Sequence, residues 1–478
     1  MQQKRFFQTI ATEDGRRMTK RDYIVLLVLL AVYSLVAFLN LGSLSSPTTV
    51  WQGETGSTAI LDLGTETDVT ELRFFGAIAE GSLNLGDDDG GFDTPLETFV
   101  QENGDMFKWT SQSFDTNTRY IYLYVDSGDI ALCEVAAFNG DRQLPLTVYA
   151  PQDGAEKLAD EQRKVPQYAS YLNNMYFDEI YHARTAYEMV QNDDLYLANG
   201  LEYTADNGYA IYEWTHPSLG KVLIAIGVRI FGMTPFGWRF FGTLFGVFIL
   251  AVLYVFAKRI FKRTDYALVT AGLMAADCMH FAQTRIATID VYALFFTLCM
   301  FLFMFDYIAE DFEDRPFWKK LVSLGLSGVM FGLGASSKWT CLYSGAGLAV
   351  LYFGDLIYNF VRIVRGQGKA PKADRKKLPV NVLAYLPVLY AIGVALIYAY
   401  ERAKSRGALS QLQWYELLTD SRVMLPLLLL TLAAVLSAVV FRLLVKKRED
   451  VDLSLNNLLM TPVWCCLFFI VIPVALYY

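Results

Sequence analysis

Charge is scarce in this chain. Its 41 Lys+Arg and 49 Asp+Glu make up 19% of 478 residues, against about 25% in soluble globular proteins. Cysteine is scarcer still. There are six, and Cys278, Cys299, Cys341, Cys465 and Cys466 sit in apolar runs while Cys133 sits in a polar stretch, so no disulfide framework is written here. Only three histidines occur, at 182, 216 and 280. No Gly-rich loop suited to cradling nucleotide phosphates is present. What is abundant is apolar: 54% hydrophobic residues and 15% aromatic ones. Disordered, collagen-like and coiled-coil classes are excluded, and the clustering of apolar residues points to a membrane protein.

The N-terminus is basic, with Lys4, Arg5, Arg16, Arg17, Lys20 and Arg21 ahead of an apolar run at Tyr23–Leu41. That run is long enough to cross about 30 Å of hydrocarbon, and it reads as a retained anchor rather than a cleaved signal. Further spans are expected near Phe236–Ala257, Tyr266–Phe281, Val291–Ile308, Leu321–Gly334, Thr340–Phe360, Leu378–Tyr400, Met424–Val445 and Asn457–Tyr478. With nine spans, the basic clusters around Lys258–Arg263, Arg315–Lys320, Arg362–Lys377 and Lys446–Arg448 all fall on the side of the N-terminus, as the positive-inside rule requires. Leu219–Met233 is apolar but short, and Lys221 and Arg229 interrupt it. A crossing there would break the charge bias, so it is expected as an interfacial or re-entrant helix. The expected localisation is the cell membrane, multi-pass, with the N-terminus cytoplasmic.

Between the first two spans lies a polar loop, 42–217, with 30 Asp+Glu and 8 Lys+Arg, a net charge of −22. Its first part reads as strands at Ala59–Leu63, Val69–Phe75, Tyr120–Val125 and Ile130–Phe138, giving an all-β sandwich. The residues 59–64, Phe107-Lys108-Trp109, Arg119-Tyr120-Ile121 and Cys133-Glu134-Val135 resemble the discoidin (coagulation factor 5/8 type C) jelly roll, a family that often binds glycans or lipid headgroups. A plain structural spacer is the other reading. Asp87-Asp88-Asp89-Gly90 offers oxygen ligands for Ca²⁺, or simply a solvated turn. Residues 152–166 look like a linker, and Tyr171–Asn192 carries a helical pattern. The expected organisation is 1–41 (N-terminus and first helix), 46–150 (β domain, extracytoplasmic), 151–235 (linker and outer-loop helices) and 236–478 (membrane helices).

Four polar clusters could carry chemistry. In Tyr176–Arg184, Asp178 and Glu179 precede His182 at i+4 and i+3, so they can share a helix face and form an acid/base site; an ordinary charged helix face has the same pattern. Trp214–Lys221 sets His216 and Lys221 at a helix start, where a phosphate could meet an ammonium and free N–H groups, or where a lysine merely snorkels. His280–Asp290 contains Arg285 and Asp290, and Ser336–Thr340 contains Lys338. Under the nine-span layout all four lie on the outer side or its membrane edge, and ionisable groups at membrane depth tend to mark function.

Asp178-Glu179, His216-Pro217 with Leu219-Gly220-Lys221, Arg285 with Asp290, and Lys338-Trp339 resemble, in this order, the protein O-mannosyltransferases of glycosyltransferase family 39. The resemblance covers about 173–358. It implies a GT-C fold: an α-helical multi-pass membrane enzyme, about nine spans here, into which the all-β jelly-roll sandwich is inserted. It implies a polyprenyl-phosphate sugar, most often mannose, as donor, and Ser/Thr hydroxyls as acceptors. Two departures stand out. This chain has Pro217-Ser218 where relatives more often have Pro-Pro, and His182 lies one position further from the acidic pair. The end at Ala475-Leu476-Tyr477-Tyr478 falls inside an apolar run, which leads to the expectation of a split or truncated member, with a second chain completing the core.

On this reading Asp178 and Glu179 are the catalytic residues. Asp178 acts as general base, and Glu179 and Asp290 orient the sugar or the cationic side chains. His182, His216, Lys221, Arg285, Asp290 and Lys338 form the substrate and lipid-phosphate set. A divalent metal is compatible with the carboxylates and histidines, but no ligand spacing demands one. Partners are the donor lipid, a protein or glycan acceptor and the bilayer, with no nucleic acid. Alternatives are transfer to a lipid or cell-wall polymer, a transporter, which would call for internal repeats and midplane charges, and a membrane-anchored glycan receptor.

Overall fold

A computed structural model describes residues 17–151, 153–191, 216–309, 317–364, 458, 461–462 and 464–477. The first helix, α1 (Lys20–Phe38), starts with a reciprocal cap between Thr19 and Asp22. Seven strands follow: β1 (Trp51–Glu54), β2 (Thr58–Gly76), β3 (Gly81–Gly86), β4 (Glu97–Gln101), β5 (Trp109–Asn139), β6 (Arg142–Gln143) and β7 (Thr147–Val148). The four strands expected from the sequence are absorbed into two long bent ones, β2 and β5. They form one seven-stranded sheet in the order β4-β3-β5-β2-β7, with β1 and β6 also on β5. Phe74 stands opposite both Thr110 and Val135, so two arms of β5 flank β2.

Neighbouring side chains on these strands go to two different cores, following the period-2 alternation of a strand. Leu72 and Phe74, with Leu61, Leu123 and Leu132, fill the interior of the β domain. Phe75 joins Trp109, Cys133 and Phe138 in a second cluster that continues into the helices through Met175, Ile224, Trp238 and Tyr292. The β domain is therefore packed against the helical body through one continuous apolar core. Residues 152–166, expected as a linker, are partly integrated: Ala155 and Leu158 are buried in the β core.

The helical body comprises α2 (Glu179–Gln191), α3 (Leu219–Phe231), α4 (Pro235–Phe261), α5 (Thr264–Ala275), α6 (Cys278–Thr284), α7 (Asp290–Ala309), α8 (Phe317–Ser337), α9 (Thr340–Val364) and α10 (Ile472–Tyr477). Among the described residues, four helices are long and apolar enough to cross a membrane: Lys20–Phe38, Pro235–Phe261, Asp290–Ala309 and Thr340–Arg362. The expected spans Leu378–Tyr400 and Met424–Val445 lie outside the described residues. One expectation is corrected. Tyr266–Phe281 is not a continuous helix, because Asp277 turns out of α5 and caps α6 by accepting the His280 N–H at 2.7 Å. At 13 residues, α3 is about 20 Å long, too short to span.

α1 and α4 run side by side and are fastened at both ends. At one end the buried Asp22 accepts from Thr264 at 2.6 Å and Tyr254 at 3.2 Å, and pairs with Lys258 at 3.1 Å. At the other end Phe236 N–H donates to Ser43 O at 3.1 Å. There the chain passes so close to Pro235 that a Cβ on Gly42 would stand 2.6 Å from it.

Inside the β domain, Glu134 is fully buried. Gly76 faces Leu132 while Phe75 faces Glu134, so Cys133 is the extra residue of a bulge. The Glu134 carboxylate accepts Glu161 N–H at 2.7 Å and Gln162 Nε2 at 2.5 Å, tying the segment after β7 to the sheet. Burial pushes its carboxyl up to about 8, against those two donors and with Asp160 and Glu161 adding to the rise. The folded state then holds a proton between pH 4.5 and about 8 that the unfolded chain has released, so stability falls as pH rises through this window. Asp62 and Glu71, held below their usual values by Arg119 and Arg73, titrate below it. Hydrogen-exchange protection at 135–137, corrected for intrinsic exchange, should decrease from pH 5 to pH 8, and Glu134→Gln should flatten that slope.

Candidate active site

The site is built around the start of α2. The helical pattern from Tyr171 is interrupted because the chain before Glu179 is pulled onto the β domain. Asn174 Oδ1 accepts Trp109 N–H at 2.9 Å, and Met175 N–H donates to Phe107 O at 3.0 Å. Phe177 then adopts φ 55°, a left-handed conformation that costs a bulky L-residue about 1–2 kcal/mol. The turn sends Asp178 and Glu179 into different surroundings. Asp178 O accepts the His182 N–H at 3.2 Å and so opens the helix.

Glu179 is completely buried and meets the equally buried Arg239 of α4. Its Oε1 accepts Arg239 Nε at 2.6 Å and Ala287 N–H at 3.1 Å. Its Oε2 accepts Arg239 Nη2 at 2.7 Å and Tyr176 N–H at 3.2 Å. Arg239 also donates from Nη1 to Leu41 O and Tyr171 O, at 3.1 and 2.8 Å, and from Nη2 to Asn174 O at 3.0 Å. All five guanidinium donors and four acceptor positions of the carboxylate are thereby used. Glu179 has nothing left to offer a substrate, and it holds Arg239 and the surrounding backbone in place.

Asp178 differs in each respect. It is half-buried, and its carboxylate makes no hydrogen bond or ion pair with any described residue. One turn along α2, His182 is buried and its ring centroid lies 6.3 Å from that of His216. The His216 carbonyl accepts Lys221 Nζ at 3.1 Å, and Lys221 is itself fully buried in the first turn of α3. Gly220 presses on Ile289: a Cβ there would lie 2.7 Å from Ile289 Cγ2. That contact seats the start of α3 against the residue before Asp290. Asp290 opens α7 and pairs with Lys338 at 2.7 Å, half-exposed.

Arg285, an expected site residue, and His280 contact α1 and its exit, and the Arg285 charge also reaches Tyr176. Arg285 donates from Nη2 to Leu39 O and Asn40 O, at 2.7 and 2.6 Å, and covers the Phe281 ring at 4.6 Å. In this structure it secures the exit of α1. His280 is buried and stacks on Tyr33 of α1, with centroids 5.8 Å apart. Among the described residues, the acidic groups near enough to share a cation are Glu134, Asp160 and Glu161, on the β domain and not beside Asp178. Asp160 and Glu161 accept from Thr49 and Thr48, and Glu161 also pairs with Lys164. Arg239 was missed in the sequence. Its signal was an arginine inside an apolar run, the sort of intramembrane charge that asks for a partner.

Removing one partner of a buried ion pair leaves the other uncompensated, at a cost of about 3–5 kcal/mol. Glu179→Ala and Arg239→Ala should each lower the thermal unfolding midpoint of the detergent-solubilised chain by several degrees. Arg239→Lys should recover little of it, because an ammonium cannot reproduce the five-donor fork. Gly220→Ala should push α3 off Ile289, which is read as increased exchange of 219–223.

The chain matches the family model described as dolichyl-phosphate-mannose-protein mannosyltransferase over residues 169–397. The polyprenol-phosphate-mannose–protein mannosyltransferase of Mycolicibacterium smegmatis is 32% identical over 220 residues, 42% of this chain and 39% of the relative. That of Mycobacterium tuberculosis is 30% identical over 258 residues, 49% and 46%. That of Corynebacterium glutamicum is 28% identical over 187 residues, 35% and 34%. The chain thus spans less than half the length of these curated relatives. No solved structure matches it. The matched stretch, 169–397, contains Asp178, Glu179, Lys221, Arg239 and Lys338, so the region similar to protein mannosyltransferases includes this site.

Proposed function

We propose that the chain is a membrane glycosyltransferase that moves mannose from a polyprenyl-phosphate carrier to Ser/Thr hydroxyls of proteins. The observation that carries this reading is the Asp178 carboxylate, which no described residue engages, at a turn held by buried interactions and one helical turn from His182, whose ring lies 6.3 Å from that of His216. The family match and the names of the relatives support it.

In this reading Asp178 removes the proton from the acceptor hydroxyl as it attacks the anomeric carbon. The bond to the carrier phosphate breaks with inversion, and negative charge collects on the leaving phosphate. Lys221, in the first turn of α3, and Lys338, just before α9, stabilise that charge. His182 and His216 belong to the donor-binding set of the same reading. Asp290 holds Lys338, and Glu179 acts through Arg239 as a positioning residue. Arg285 supports the site through the exit of α1. The finer architecture belongs to the same proposal: about nine crossings, one of them made by the broken pair α5 and α6, a cytoplasmic N-terminus, and a discoidin-like jelly roll carried on the outer face.

Asp178→Asn in membranes supplied with polyprenyl-phosphate mannose and a Thr-containing peptide should lower transfer by about 10²–10⁴-fold, with the unfolding midpoint unchanged. Transfer at the wild-type rate would refute the assignment of Asp178 as base. A lipid acceptor tested in the same preparation distinguishes protein from lipid glycosylation.

A further inference from the structure

The chain on either side of the turn that presents Asp178 carries large aromatic side chains open to solvent. Tyr168, Tyr171, Tyr176, Phe177 and Tyr181 are 61%, 51%, 42%, 61% and 41% exposed. Such clustering is unusual in a surface that has to remain soluble. Phe177 is the most informative member. Its φ of 55° is one that Gly or Asn adopts with less strain, yet an aromatic residue occupies it, directly before Asp178. Strained positions of this kind persist where the surroundings over-determine them, and they gather at functional sites. Here the surroundings are in view: the Asn174 and Met175 bonds to the β domain on one side, and the Arg239–Glu179 pair on the other.

We propose that this aromatic rim docks the acceptor polypeptide, with Phe177 as the specificity-determining contact beside the base; the proposal rests on the transfer reading above. The occupant is an extended segment, neutral to basic in charge. Charge complementarity selects it, since the loop 42–217 carries −22 and repels anionic lipid surfaces while attracting cationic chains. Composition agrees. Four of the five rim residues are tyrosines, which offer an apolar ring and a hydroxyl and therefore suit a wet surface against a polar peptide backbone.

Peptide binding tests this without any sugar transfer. The full chain in zwitterionic nanodiscs is titrated against fluorescent Thr-containing peptides flanked by Lys or by Glu, without donor, and anisotropy is read. The Lys-flanked peptide should bind about tenfold more tightly than the Glu-flanked one at low salt, and the difference should shrink as salt rises. Phe177→Asn keeps a residue tolerant of the left-handed turn and should weaken binding about tenfold. Tyr181→Ser, on the exposed face of α2, should weaken it in the same direction. Wild-type affinity in both variants would overturn the proposal. So would binding indifferent to peptide charge, or variants whose only effect is on attachment to vesicles containing anionic lipid, which would make the rim a membrane anchor. A chain that binds peptide in the expected pattern but transfers no mannose would leave the rim intact and remove the transfer reading.

Discussion

The ion pair between Arg239 and Glu179 is the constraint on which the rest of the site depends. Burying two charges is costly unless the geometry is excellent and every remaining donor and acceptor is met. Here that condition is fulfilled by backbone from separate parts of the chain: Leu41 after α1, Tyr171, Asn174 and Tyr176 before α2, and Ala287 before α7. No one of these segments can move far without leaving a charge unsatisfied. The pair thus fixes where α1 ends, where α2 begins and where the 285–289 loop passes, and the position of Asp178 follows from all three.

A second polar cluster, Asp22 with Lys258, Tyr254 and Thr264, fastens the other ends of α1 and α4. In α4 the fastenings Arg239 and Lys258 are 19 positions apart, about 28 Å at the α-helical rise, while α1 runs 16 helical positions from Asp22 to Phe38 and is tied just beyond its end at Leu41. The distance in α4 matches a hydrocarbon core of about 30 Å. Charge is thereby kept to the two ends, and the intervening helix surface is free to be apolar. The same division explains the global charge. The −8 of the whole chain combines an acidic loop at −22 with a basic remainder at +14.

Neighbouring acidic residues in one motif have been given opposite tasks. Glu179 is spent on structure, with its lone pairs occupied. Asp178 is withheld from structure. The left-handed backbone at Phe177 and the ties of Asn174 and Met175 to the β domain set the turn from which the two carboxylates diverge. The β domain is therefore part of the scaffold of the site as well as an insertion beside it.

Much was legible in the chain itself. Apolar runs separated by basic clusters marked the helical membrane body, β-rich runs bounded by turn residues marked the β domain, and the order of Asp178, His216, Lys221 and Lys338 marked the candidate chemistry. These are local or compositional properties, and they survive without knowledge of contacts. The sequence could not say that Glu179 would be buried against an arginine 60 positions away, that Asp277 would divide an apolar run by capping a new helix, or that Arg285 and His280 would face α1 while His182 and His216 met. Those outcomes depend on which buried polar group finds which partner. A hydrogen bond or ion pair in a low-dielectric interior is decided by three-dimensional proximity, and only the tertiary structure supplies it.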